Sequence, residues 1–200
     1  MKTKVHAIVL AAGQSKRLGS PKQLARIGGE TLLERAVRFV RGPCASVRVV
    51  LGHAHPAIDD AAARSRAIVV HSDAPDEGMA ASIRVGAADL GGDSNLGPRD
   101  GVLFAVVDQL ALTEAHVASL ASAFVAHDGA RTVASRYRDV LGVPAILPIA
   151  RLSDLAHLRG DMGARALVRA DVGAIAIDLD DGDADVDLAR DLVKLSEAPS

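Results

Sequence analysis

Only one cysteine, Cys44, occurs in the 200 residues, tryptophan is absent, and aromatic residues make up 2%. A lone cysteine excludes an internal disulfide and any multi-cysteine metal cage. A reducing, cytoplasmic setting is the default expectation, with Cys44 itself a small structural residue. Charge of one sign is also lacking: 23 Lys and Arg against 25 Asp and Glu leave a net of −2. Without a basic field, a nucleic acid polymer is not an expected partner. No apolar run approaches the ~18 residues that span a bilayer, and the glycine loop comes too early for a signal peptide, so neither is expected.

What is present is aliphatic and periodic. Apolar residues make up 49% of the chain, enough for a full core in one medium domain. Strand-like runs near Val5–Ala11, Val47–Gly52, Ala67–His71, Val102–Val107, Thr132–Ser135, Val143–Leu147 and Ala174–Leu179 alternate with helical patterns. The helical patterns lie near Leu32–Val40, Ala57–Arg64, Met79–Leu90, Glu114–His127, Gly163–Arg169 and Leu188–Ser196. This alternation predicts an α/β, doubly wound, mostly parallel sheet covered on both faces, a Rossmann-like arrangement. Thr31 and Glu34 have the spacing of a capping box at the start of the first long helix. No repeat or long linker divides the chain, so residues 1–196 are expected to form one domain with a frayed tail over 197–200.

Two common phosphate loops are also missing. The segment after the first strand lacks the second and third glycines of GxGxxG, and its lysine comes too late for GxxxxGK[ST]. Small residues are nonetheless concentrated there, at Ala12, Gly13, Gly19 and Ser20. They let the backbone approach a ligand and turn its N–H groups outward. Arg17 and Lys22 add positive charge, so the simplest ligand is a polyphosphate. Asp108 directly follows the buried run Val102–Val107. A carboxylate in that position is costly unless solvated, paired or metal-bound. Doubly wound sheets bind ligands at the carboxyl ends of their strands, so Asp108 should share that rim with the first loop.

The loop Leu10-Ala11-Ala12-Gly13-Gln14-Ser15-Lys16-Arg17-Leu18-Gly19-Ser20-Pro21-Lys22-Gln23-Leu24 resembles LAAGxSxRxGxPKxL, the signature of cytidylyl- and guanylyltransferase-like enzymes. Further segments resemble that family in the same order. They are Gly28 to Leu33 (G-x-x-L-L), Gly78 to Gly86 (GMxxSxxxG), Asp108-Gln109 (DQP, with Leu110 for proline) and Gly160 to Arg165 (GDxGAR). Asp185 to Leu192 stands where the family carries DxDTPEDL, with Leu188-Ala189-Arg190 for Thr-Pro-Glu. The chain thus resembles the MobA-like nucleotidyltransferase superfamily, in its molybdenum cofactor cytidylyltransferase-like branch. The resemblance implies that Leu10, Ala11, Ala12 and Gly13 line the phosphate path and that Arg17 and Lys22 grip the β- and γ-phosphates. It implies that Ser82 and Gly86 lie on the base and ribose side, and that Asp108 and Asp187 are the carboxylates for Mg²⁺. Arg17, Lys22 and Asp108 are the expected catalytic residues. Asp187 could instead cap the last helix, and Ser82 could be a plain helix residue.

The implied reaction is in-line attack of an acceptor phosphate oxygen on the α-phosphorus of a nucleoside triphosphate, expelling diphosphate. CTP is favoured over GTP by Ala12, since the guanylyl branch more often reads Leu-Ala-Gly-Gly. The implied acceptor is molybdopterin, with the product passed to a molybdoenzyme or its chaperone. Guanylyl transfer, transfer to a sugar or alcohol phosphate, and a non-catalytic nucleotide-binding protein stay open. His53, His55 and His71 read as rim histidines, because a His-x-His pair without third and fourth ligands makes a poor zinc site.

Overall fold

Val5–Ala11 forms β1, every residue of it buried. Alternate side chains enter opposite faces of the sheet: Val5, Ala7, Val9 and Ala11 join one apolar cluster, Ile8 and Leu10 the other. A strand apolar on both faces must be covered on both, which places it at the centre of three layers. The computed structural model describes residues 2–13, 15, 19–160, 163, 168–169 and 171–182.

After β1 come a short hairpin (β2, Arg26–Ile27; β3, Glu30–Thr31), α1 (Leu32–Arg41), β4 (Ser46–Leu51), α2 (Pro56–Arg64) and β5 (Ile68–His71). Then follow α3 (Met79–Gly91), β6 (Gly101–Val106), α4 (Glu114–Ala126), β7 (Val133–Tyr137), β8 (Val140–Pro148), α5 (Leu152–Leu155) and β9 (Ile175–Asp178). The main sheet has the order β5-β4-β1-β6-β8-β7-β9. Helices α1, α2 and α4 cover the face that contains Val9 and Ala11, while α3 and α5 cover the face of Ile8 and Leu10. The expected capping box is formed: Thr31 Oγ1 accepts from Glu34 N at 3.2 Å, and Glu34 Oε2 accepts from Thr31 N at 3.0 Å.

The sheet is mostly parallel, as expected, with β8 the exception. It runs antiparallel to both β6 and β7. The hairpin from β7 to β8 turns through Arg138 and Asp139, both at positive φ (47° and 58°). Such a pair makes a tight two-residue turn, but Arg-Asp is not the Asn-Gly or Asp-Gly that advertises one. β8 consequently begins at Val140, three residues before the expected Val143. The expected helices over 163–169 and 188–196 lie largely or wholly outside the described residues, as does the tail 197–200. Among the described residues no helix is long and apolar enough to cross a membrane.

β1 leads through α1 to β4 on one side, whereas β6, its other neighbour, leads through α4 to β7 farther out. The chain therefore departs in opposite directions from two adjacent parallel strands. This switch point leaves a crevice beyond their carboxyl ends.

Candidate functional site

The crevice brings together two of the residues singled out from the sequence. Asp108 stands two residues beyond β6, held there by Val107 N donating to Leu10 O at 3.2 Å. Lys22 opens a short 3-10 turn, Lys22–Leu24, at the far end of the loop that leaves β1. Its Nζ donates to Asp108 Oδ2, so the two charges pair across the crevice although 86 residues separate them. Both side chains are largely buried, 20% and 14% exposed, yet remain open to a ligand from the rim. The Asp108 carboxylate thus already holds a cation, which shows that this position favours positive charge.

The loop itself is tied down from beneath. Lys22 N donates to Ser15 Oγ at 2.9 Å. The buried Gln23 donates through Nε2 to Ala11 O at 2.6 Å and to Gly13 O at 2.8 Å. Beside it, Gly52 at the end of β4 meets Ala12 so closely that an added Cβ would lie 2.7 Å from Ala12 O. A similar clamp supports the other wall. Gln109 Nε2 donates to Val143 O at 2.8 Å and to Gly182 O at 2.7 Å, and Arg35 of α1 donates to Leu110 O at 2.9 Å. Each charged rim residue is therefore followed by a buried glutamine that holds two backbone carbonyls. Gln23 is not among the residues singled out from the sequence, and Gln109 stands there only as part of a motif; a glutamine directly after each charged rim residue is the local signal.

Other expected residues are placed as follows. The Leu10 and Ala11 side chains are in the core, one on each face of the sheet, so these two residues can meet a ligand only through their backbone. Ser82 is buried in the first turn of α3, a helix whose N-cap is Gly78 with φ 98°. Gly86 has a packing role: an added Cβ would lie 2.9 Å from both Ile8 Cγ2 and Val50 Cγ2, so the glycine lets α3 sit close on β1 and β4. Arg17 and Asp187 lie outside the described residues, as do Asp161 and Arg165.

Next to the loop, and starting at Gly52, a hollow of about 570 Å³ opens between the ends of β4 and β5. His53, His71, Ser72, Asp73 and Glu77 are among its lining residues. Ser72 is buried with Oγ unpartnered among the described residues. A buried hydroxyl without a protein partner is unusual in a finished core. The histidines are half exposed on the rim; His53 contacts Asp76 at 3.2 Å and His71 contacts Asp59 at 3.7 Å. Away from the crevice, Cys44 has its thiol pKa pushed up to about 12 by burial, which leaves it without nucleophilic character.

The doubly wound sheet with one reversed strand, in which a lysine-bearing loop and a carboxylate meet at the switch point, belongs to an enzyme of the nucleotidyltransferase class. More narrowly, residues 7–175 match the model of the MobA-like NTP transferase domain, and the chain belongs to that family. It is 40% identical over 62 residues to the molybdenum cofactor guanylyltransferase of Sinorhizobium fredii, a stretch covering 27% of this chain and 28% of that protein. The crystal structure of Rv0371c from Mycobacterium tuberculosis H37Rv superposes with a TM-score of 0.79 at 29% identity, covering 99% of this chain and 100% of that one. A structure of Rv0371c in complex with manganese superposes with a TM-score of 0.74 at 26% identity and the same coverage.

Proposed function

We propose that the protein transfers the cytidylyl group of CTP to the phosphate of a molybdopterin-type cofactor, with release of diphosphate. The observation that carries this reading is the Lys22–Asp108 pair at the β1–β6 switch point, beside the Ala12–Gly13 loop. A loop of outward amides and a lysine can hold a triphosphate; a carboxylate beside them serves an enzyme that works on that triphosphate with a divalent ion. Mg²⁺ prefers hard oxygen donors, with one or two carboxylates completed by phosphates and water. Asp108 fits that donor set, Asp187 is the second candidate, and the manganese complex of Rv0371c supports a divalent ion in this fold. Bound there, the ion would draw off charge from the phosphates.

The acceptor phosphate is already ionised at neutral pH and needs no general base. The chain's own work is to align and stabilise. Lys22 lies at the end of the loop where the β- and γ-phosphates would lie, so it stabilises the charge that gathers on departing diphosphate. Arg17 is assigned the same task. Ala12 and Gly13 amides hold the α-phosphate for attack opposite the leaving oxygen. Lys22 and Asp108 pair across the crevice; Lys22 would meet the phosphates and Asp108 would hold the divalent ion, each through a charge-assisted contact. The hollow beside Gly52, with its unpartnered Ser72 hydroxyl, is the natural place for the base.

Ala12 in the loop favours CTP. GTP is the second reading, favoured by the likeness to a protein named as a guanylyltransferase. The test is diphosphate release by the protein with Mg²⁺, molybdopterin and each ribonucleoside triphosphate in turn. Release with CTP alone is expected. Release with GTP alone moves the assignment to guanylyl transfer, release only with a sugar or alcohol phosphate as acceptor moves the acceptor, and nucleotide binding with no release from any acceptor overturns the catalytic reading.

A further inference from the structure

We infer that Gln23 is a positioning residue that sets the direction of the phosphate-loop amides, an inference that rests on reading that loop as the cradle of the triphosphate. Gln23 is 3% exposed, and its single side-chain nitrogen donates to two carbonyls of the loop, Ala11 O and Gly13 O. Its Oε1 is buried and finds no partner among the described residues. The amide thus supplies a donor to two backbone carbonyls of the loop while its own oxygen is buried without a partner among the described residues. The amide orientation is nevertheless determined: turned over, the oxygen would face two carbonyl oxygens.

The consequence follows from peptide geometry. In a trans peptide the N–H points away from the preceding C=O. Gln23 holds the Ala11 carbonyl, so the Ala12 N–H is turned to the opposite side. Peptides alternate along a strand, and the preceding carbonyl, Leu10 O, faces β6, where it accepts from Val107 N. The Ala12 N–H is therefore aimed to the β6 side, into the crevice that holds Asp108 and Lys22. The second bond holds Gly13 O at the same nitrogen. Lys22 and Gln23 are adjacent in the chain, so the residue that grips phosphate and the residue that orients the amides move as one unit.

Gln23→Met keeps the length and removes both donors; Gln23→Glu keeps an oxygen that donates only when protonated. For Gln23→Met the KM for the nucleotide is expected to rise, and kcat/KM to fall, by about 10–100-fold, the usual scale for loss of a supporting hydrogen bond. The KM for the acceptor should stay unchanged. For Gln23→Glu, burial raises the carboxyl's titration range. Activity should fall as pH rises through that range, relative to wild type, whereas Gln23→Met stays uniformly low. A role confined to core stability would shift the melting midpoint and leave both the nucleotide KM and this pH profile alone. Gln23→Met with a wild-type nucleotide KM overturns the inference. The backbone amide signals of Ala12 and Gly13 in ¹⁵N–¹H spectra, recorded without nucleotide, give a readout free of the proposed reaction. They should move in Gln23→Met, and unmoved signals overturn the inference. A wild-type protein that releases no diphosphate from any nucleotide refutes the proposed function instead, while the amide signals still decide the role of Gln23.

Discussion

Replacing Gly52 by alanine tests whether the loop after β1 is the working part of the rim. Gly52 is not at positive φ, so its backbone accepts alanine without strain and the whole effect is steric. The added Cβ would lie 2.7 Å from Ala12 O and 3.3 Å from Ala12 C and Cα. Ordinary contact begins near 3.4 Å, so Ala12 must withdraw by roughly 0.7 Å from a backbone atom that has no rotamer to escape into. Overpacking of this kind costs about 1–3 kcal/mol. A misplacement approaching 1 Å at a reacting phosphate costs up to ~10²-fold in rate. Urea unfolding should show the first loss, and diphosphate release with CTP the second, concentrated in the nucleotide terms. Gly86→Ala is the matched control. Its Cβ would press on Ile8 and Val50 at 2.9 Å, both core methyl groups. It should lose a similar 1–3 kcal/mol and keep the wild-type nucleotide KM. If Gly52→Ala retains full turnover, or if both variants lose nucleotide affinity alike, the separation of a catalytic loop from a packing glycine is wrong.

The remaining predictions concern single groups. Asp108→Ala should lower turnover by at least ~10²-fold, the scale for one preorganised electrostatic group; near-normal activity would remove Asp108 from the mechanism. Cys44, with its thiol pushed up to about 12, should react with iodoacetamide at pH 8 about 10³-fold more slowly than an ordinary cysteine and at the ordinary rate once unfolded; rapid labelling of the native protein would contradict its burial. At the opposite end of the sheet, burial alone would raise the Asp100 carboxyl, but hydrogen bonds from Gly97 N, Lys4 N and His6 outweigh it and hold the pKa below its ordinary value. A depressed carboxylate stabilises the fold at neutral pH and loses that contribution as pH falls through the ordinary carboxylate range and below, so Asp100→Asn should be less stable than wild type at pH 7 and nearly equal to it in strong acid; a gap independent of pH would refute this.

Much of the fold was legible because each central strand is apolar on both faces and each covering helix has a period of its own. Val5–Ala11 matched to the residue, and Thr31 with Glu34 marked the start of α1. Reversal of β8 was not legible, for a physical reason. A buried strand such as Val143–Leu147 looks the same whichever way it runs, and the information on direction sits in the connection. There the turn uses Arg138 and Asp139 at positive φ, residues that local propensity does not assign to a two-residue turn. Sheet pairing on both sides of β8 determines that conformation, and pairing is non-local.

The site divides along the same line. Lys22 and Asp108 could be found by reading because charge next to a buried strand is locally expensive and so stands out. That they meet could not be read from either segment; it follows from β1 and β6 being neighbours with connections that diverge. Gln23, Gly52 and Gln109 act on backbone atoms of other segments, 10 to 73 residues away for the glutamines, and a residue type that hydrogen-bonds anywhere leaves no local pattern. Gly86 in α3 likewise answers to partners outside its own segment, two methyl groups of the sheet. Charged groups at the rim are thus specified by what they cost where they stand, and the groups that orient them are specified by partners that only the completed sheet supplies. An attempt to alter nucleotide choice through Ala12 alone would for that reason act on a loop whose geometry is set from Gln23 below and Gly52 beside it, and substitutions at Ala12 should be made with both of those left intact.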